Sequence, residues 1–261
     1  MTSRFRRGMP FAGAVMLAIA WTLPSCRDVP APEGGVQSLA PLVFPSPGLV
    51  AGDTMRDSLG LAAPLRLIAF GVDGDTLYNV EATFVALDSG AHLDGAFLIG
   101  DTPGKTVRII GSTQVLQTQP ASVKVTLSPD TLIAVDSAIY RKTYSVALAD
   151  TIVTSPELGT IVQHLGGATP TGVDAVIVRY TIEKAPAGSG GAPTLVLMSG
   201  STPSSRDTTD ATGHASRTAR LRITALTSFA TDTALVSATA SYRGKPLGVV
   251  TFTLIFTNTN P

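Results

Sequence analysis

From about residue 65 to residue 256 the chain is written in short runs in which apolar and polar residues alternate. In Asp174–Lys184, Val176, Val178, Tyr180 and Ile182 fall on one side, with Ile177, Arg179, Thr181 and Glu183 on the other. In Thr218–Thr224, Ala219, Leu221 and Ile223 point one way, Arg220 and Arg222 the other. Ser122–Leu127 sets Val123, Val125 and Leu127 against Lys124 and Thr126. A period of two with one apolar face is the signature of a half-buried strand. Further strands are expected at Leu65–Phe70, Val80–Leu87, Thr106–Gly111, Leu132–Val135, Tyr144–Val153, Thr194–Met198, Thr233–Tyr242 and Val249–Phe256. Turn chemistry separates them: Gly71–Thr76 contains the Asp73-Gly74 pair, Ser128-Pro129-Asp130 breaks the chain, and Arg243–Pro246 joins the last two strands. No stretch in this region carries a helical period, so the expected fold is all-β, built as sandwiches. The plan runs twice, with units expected at 51–130 and 131–261. Each ends in a strand pair whose last member is strongly apolar.

The N-terminus follows a different pattern. Arg4, Arg6 and Arg7 precede an uncharged apolar run from Gly8 to Leu23. A basic start followed by such a run reads as a secretory signal, residues 1–25, and the run is short for a transmembrane helix, which needs ~20 apolar residues. The run closes on Leu23-Pro24-Ser25-Cys26, and Cys26 is the only cysteine in the chain. This segment resembles the lipobox of bacterial lipoproteins: an aliphatic residue, two small residues and a cysteine. Pro24 departs from the usual small residue. The resemblance implies that the Cys26 thiol carries the lipid and that the mature chain begins there. Burying acyl chains contributes ~0.8 kcal/mol per CH₂. Arg27 after the cysteine implies the outer membrane. An ordinary signal or an uncleaved anchor with an incidental cysteine is the alternative. Residues 26–50, rich in Pro and Gly, read as an extended tether, with an edge strand at Leu39–Phe44 as the competing possibility.

Composition narrows the partners. Lys+Arg and Asp+Glu each number 19, so the formal net charge is zero, and only 15% of residues are charged. There is no basic excess to neutralise phosphates, and nucleic acid is not expected as a partner. A single cysteine permits no internal disulfide and no cysteine-rich metal site.

In the second unit, Thr209-Asp210-Ala211-Thr212-Gly213-His214-Ala215-Ser216 is followed by the alternating strand with Leu221 and Ile223, and Val236–Ala240 is followed by Gly244 and a final apolar strand. These residues resemble the T-D-x-x-G-x-A loop and the last two strands of bacterial Ig-like repeats of the invasin/intimin type. The resemblance covers about Ser155 to Phe256. More loosely, Gly71–Val85 resembles a hairpin of the same repeats. It implies tandem Ig-like sandwiches that serve as spacers, adhesin stalks or surface-binding modules.

Candidate chemistry is sparse. His92, His164 and His214 lie at no metal-ligand spacing, and no nucleophile elbow, Walker loop or His-Glu-x-x-His occurs. Asp73, Asp75, Asp207 and Asp210 sit in turns, where Asp is favoured by bonding to its own backbone; calcium is the alternative reading. The Gly-rich loop with Gly188, Ser189 and Gly190 lacks the Lys-Ser/Thr of a phosphate loop. This loop and the one with Ser201, Ser204 and Ser205 are the candidate contact surfaces, since sandwiches bind through loops. No cofactor and no enzyme activity are expected. The expected role is structural, adhesive or binding, toward a surface protein or glycan, from a lipid-anchored position in the cell envelope. The alternative is a non-catalytic binding subunit that assists an envelope enzyme.

Overall fold

The computed structural model describes residues 35–77, 80–113, 116–145, 151–187, 194–223 and 230–259. Its described residues form strands, turns and bends with no helix. The first nine strands are β1 (Ser38–Leu39), β2 (Gly48–Val50), β3 (Ala69–Phe70), β4 (Thr76–Leu77), β5 (Thr83–Ala86), β6 (Ala91–Asp94), β7 (Phe97–Gly100), β8 (Thr106–Ser112) and β9 (Ala121–Thr126). They make a four-stranded sheet in the order β2-β9-β8-β5, a small sheet β1-β3-β4 and the hairpin β6-β7. Val107 and Ile109 of β8 and Val123 and Val125 of β9 turn inward, as alternation requires. They pack with Leu42, Leu49, Met55, Leu65 and Leu98 into one apolar core. The Asp73-Gly74 turn joins β3 to β4, and Gly74 takes φ 77°. Glycine enters that left-handed region without the steric penalty of a Cβ.

Twelve strands follow: β10 (Thr131–Ala134), β11 (Ile139–Tyr144), β12 (Thr151–Thr154), β13 (Leu158–His164), β14 (Thr171–Gly172), β15 (Ile177–Lys184), β16 (Thr194–Ser199), β17 (Thr202–Pro203), β18 (Arg206–Thr208), β19 (His214–Ile223), β20 (Thr231–Tyr242) and β21 (Lys245–Asn258). One sheet runs β10-β13-β19-β16-β17, with β12 also on β19 and β14 on β13; the other runs β11-β21-β20-β15-β18. Their inner faces meet in a second core. Ala219, Leu221 and Ile223 of β19 lie against Val236 and Ala238 of β20 and Phe252, Leu254 and Phe256 of β21. Tyr180 is fully buried there, and its hydroxyl donates to the Ala215 carbonyl at 3.0 Å and pairs with Thr160 Oγ1 at 3.0 Å. Burial pushes its phenol up to about 12. The two polar partners are what allow a phenol to sit in that core, since an unpaired buried hydroxyl costs about 1–3 kcal/mol.

Both units share one device. The first strand of the main sheet pairs parallel with the last: β2 with β9, and β11 with β21 over the register Ile139↔Thr253 to Tyr144↔Asn258. The described residues are thus all-β, with two apolar cores set between their sheets.

Two expectations are corrected. Residues 36–50 are not a free tether. They carry β1 and β2, and Val36, Leu42 and Leu49 are buried, because the prolines only separate apolar residues that the first core takes up. The strand expected over Tyr144–Val153 is two strands, β11 ending at Tyr144 and β12 starting at Thr151, and they join different sheets.

Candidate functional site

The turn after β2 and the β20–β21 turn meet around one carboxylate. Asp53 follows β2 in a turn fixed by backbone bonds: its amide donates to the Val50 carbonyl at 3.1 Å, and its carbonyl accepts from Gly100 at 3.0 Å. Three residues further on, Arg56 turns back and donates from Nε at 2.7 Å and from Nη2 at 2.8 Å to the two Asp53 oxygens. Arg56 Nη1 also donates to the Gly60 carbonyl at 2.8 Å, tying down the following loop.

The second unit supplies the other donors from the β20–β21 turn. Arg243 and Gly244 are the two central residues of that turn, at φ 51° and 71°, and Tyr242 pairs with Lys245 across it. Two successive positive φ values give the mirror-image turn that suits the twist of a hairpin, and its first position favours Asn, Asp or Gly. An arginine there costs about 1–2 kcal/mol of backbone strain. Its side chain accounts for its presence: Nε and Nη2 reach Asp53 at 3.0 and 2.9 Å. Tyr242 Oη donates to the same carboxylate at 2.5 Å. Asp53 is thus held by two forked guanidiniums and a phenol, with only 6% of its surface exposed. Forked, charge-assisted bonds of this kind are the stronger class.

Close backbone approach seals the contact. A Cβ on Gly60 would lie 2.1 Å from the Gly244 nitrogen, and one on Gly48 would lie 2.8 Å from the Ala175 Cβ. Lys124 of β9 pairs with Asp174 of the second unit. Between these contacts lies a cleft of about 100 Å³, bordered by Arg56, Asp57, Arg179 and Arg243 among others. The two non-glycine residues of positive φ among the described residues, Ala175 and Arg243, both border it.

Burial alone would raise the Asp53 carboxyl, but the bonds from Arg56, Arg243 and Tyr242 outweigh it and hold the group well below the ordinary carboxylate range. For Tyr242, burial first and the bond to Asp53 second push the phenol up to about 12. Tyr144 and Tyr180 are pushed by burial to about the same value, and Tyr140 is also raised by burial. These neutral phenols favour the folded state, and that contribution is present below pH ~10 and lost as pH rises toward 12, where the unfolded chain ionises first. A spectrophotometric titration should therefore show these four phenols ionising above pH 10, with the Tyr242→Phe difference spectrum centred near pH 12. A Tyr242 phenol that titrates at 10 would remove its buried bond to Asp53.

Cys26, Gly188, Ser189 and Gly190 lie outside the described residues. Ser201 is exposed in the β16–β17 turn. Ser204 Oγ donates to the Arg206 carbonyl at 2.9 Å, and the Ser205 carbonyl accepts from the Tyr180 amide at 2.8 Å, so these two help set β18 against β15. None of the three serines borders the Asp53 cleft. The Thr209–Ala215 loop is also structural. Thr209 Oγ1 donates to the Val173 carbonyl at 2.7 Å, while Asp210 Oδ1 accepts from the Thr212 amide and hydroxyl and from the His214 amide. Among the described residues there is no group of three or more His, Cys, Asp or Glu that could hold a metal ion. Nor is any described helix long and apolar enough to cross a membrane. The Asp53 cluster matches no sequence motif. Its one sequence signal is Arg243-Gly244, an arginine where a two-residue hairpin turn prefers Asn.

No protein-family model and no curated protein matches the chain. Solved structures do. The adhesin InvE of Yersinia pseudotuberculosis aligns at 14% identity over 84% of this chain and 60% of that one, with a TM-score of 0.34. Domains 4–9 of the surface-layer protein SbsC align at 15% identity over 87% of this chain and 31% of that one, with a TM-score of 0.28. The collagen adhesin of S. aureus aligns at 10% identity over 86% and 94%, with a TM-score of 0.18. The chain therefore spans less than two thirds of the first two structures it matches.

Proposed function

We propose that this chain is a lipid-anchored envelope protein whose two Ig-like sandwiches act together as a stiff display and binding module. The observation that carries this reading is the Asp53 cluster. It commits a buried carboxylate, two arginines and a tyrosine to fixing one sandwich against the other. A spacer needs that fixed orientation, because two sandwiches on a loose joint would not hold a binding surface at a set height or angle. The leader that runs up to Cys26 supports the envelope location. The role is adhesion to, or binding of, a surface protein or glycan.

The test of the anchor is metabolic labelling with a palmitate analogue in cells that express the wild-type chain or Cys26→Ala. Label should enter the wild-type chain and be absent from the variant, which should leave the membrane fraction. Equal labelling of both chains would overturn the anchor.

A further inference from the structure

The cleft beside Asp53 carries more than a joint requires. Three arginines, Arg56, Arg179 and Arg243, line it together with two aspartates, Asp53 and Asp57. Asp53 is saturated by its own donors, and Asp57 Oδ1 accepts the amides of Leu59 at 2.9 Å and Leu61 at 3.0 Å. One positive charge is left in excess, and Arg56 and Arg243 repel one another across the carboxylate they share. Arg243 is 52% exposed and uses Nε and Nη2 on Asp53, which leaves Nη1 for another acceptor. Arg179 stands directly opposite Arg206 in the β15–β18 register, and among the described residues neither guanidinium is paired with a carboxylate. Like charges directly opposite in a sheet are destabilising. Strained backbone at Ala175 and Arg243 borders the same space, a combination that goes with ligand sites more than with passive packing.

We propose that this cleft binds one carboxylate group of a ligand, held between Arg179 and Arg243. At about 100 Å³ the space is smaller than the ~150 Å³ cavity that admits benzene and far below the ~300–1,000 Å³ of a drug-sized site. It takes the end of a single group. A carboxylate matches the forked geometry of arginine and cancels the excess charge. The carboxylate comes either from an acidic side chain of a bound polypeptide or from a free small acid, and the recognition chemistry is the same. The inference deepens the binding role proposed above and rests on it only for the expectation of a ligand; it does not depend on the lipid anchor.

The test uses the full chain, with the arginine Nε–Hε resonances followed by NMR. The probes are acetyl-Gly-Asp-Gly-amide, acetyl-Gly-Asn-Gly-amide and acetate. The Asp peptide should shift the Arg179 and Arg243 signals saturably and bind roughly tenfold or more tighter than the Asn peptide. Arg179→Gln lies outside the Asp53 cluster, so its circular dichroism should match the wild type while its affinity for the Asp peptide falls by roughly tenfold. Acetate as strong as the Asp peptide would support the site with a free acid as its ligand; weaker acetate would support it with a polypeptide. Equal binding of the Asp and Asn peptides, no saturable shift, or unchanged affinity in Arg179→Gln would each overturn the site. Loss of labelling at Cys26 would leave these results standing, so the two readings fail separately.

Discussion

Asp53→Asn is expected to remove roughly 3 kcal/mol of unfolding free energy at pH 7. That is the lower end of the loss on breaking a buried ion pair, because Arg243 is half exposed and partly screened. The substitution keeps the side-chain shape and one acceptor oxygen but leaves two guanidiniums without their counter-charge. The pH dependence gives an independent readout. Asp53 has its folded pKa depressed below the ordinary value, so its contribution is present above pH ~4 and is lost as pH falls through the folded value. Denaturant melts of the wild type should therefore lose stability steadily below pH ~5, and those of Asp53→Asn should lose less over the same range. The variant should also separate the unfolding of the two sandwiches, since three of the four groups in the cluster act across the joint or receive bonds across it. Equal acid sensitivity in both proteins would mean that the carboxylate adds nothing to the folded state.

Gly213→Ala is expected to cost at least about 3 kcal/mol, read as a fall in Tm by circular dichroism. Gly213 sits at φ 80°, and a Cβ there would lie 2.4 Å from the Val162 carbonyl oxygen and 2.7 Å from the Val173 nitrogen. Both contacts are backbone, so neither can swing away. The Val162 amide also donates to the Gly213 carbonyl at 2.9 Å, a bond that any shift would weaken. Gly200 is the matched control. It has a similar φ of 57° and nothing within 4 Å of the added carbon, so Gly200→Ala should show only the backbone penalty of about 1–2 kcal/mol. Equal losses at the two positions would mean that the tight packing around Gly213 contributes nothing. A large excess at Gly213 would place the Thr209–Ala215 motif among the parts that hold the sandwich together, in line with the hydrogen bonds it makes internally.

The second sandwich was legible in the sequence because its strands are long and one-faced. The expected strands at 174–184, 194–198, 218–224, 233–242 and 249–256 correspond to β15, β16, β19, β20 and β21, and Ala219, Leu221 and Ile223 are buried as alternation requires. The first sandwich was harder, because its strands are short and its core draws on loops. Leu65–Phe70 gives only the two-residue β3, yet Leu65 is still in the core. The hairpin β6-β7 is hard to read although Asp94-Gly95 carries a turn signal, since each arm is only four residues long and Phe97–Gly100 has no polar position to alternate with its apolar ones. β13 shows no alternation in the sequence, because Leu158, Gly159 and Thr160 are all buried. The Asp53 cluster was illegible for a different reason. Its members are 3, 189 and 190 residues apart in sequence, and only the docking of two sandwiches brings them together. The serine loop is a candidate contact surface on the general ground that sandwiches bind through loops, which does not reveal that Ser204 Oγ and the Ser205 carbonyl are already bonded to Arg206 and Tyr180.

The parallel seam between β11 and β21 has a mechanical meaning. Tension arriving at Ile139 and leaving at Asn258 pulls the two strands past one another lengthwise, so the ladder bonds along their six matched pairs bear the load at once. An antiparallel hairpin pulled open at its ends would instead break its bonds one after another. A body loaded in that direction yields only when the whole seam gives way.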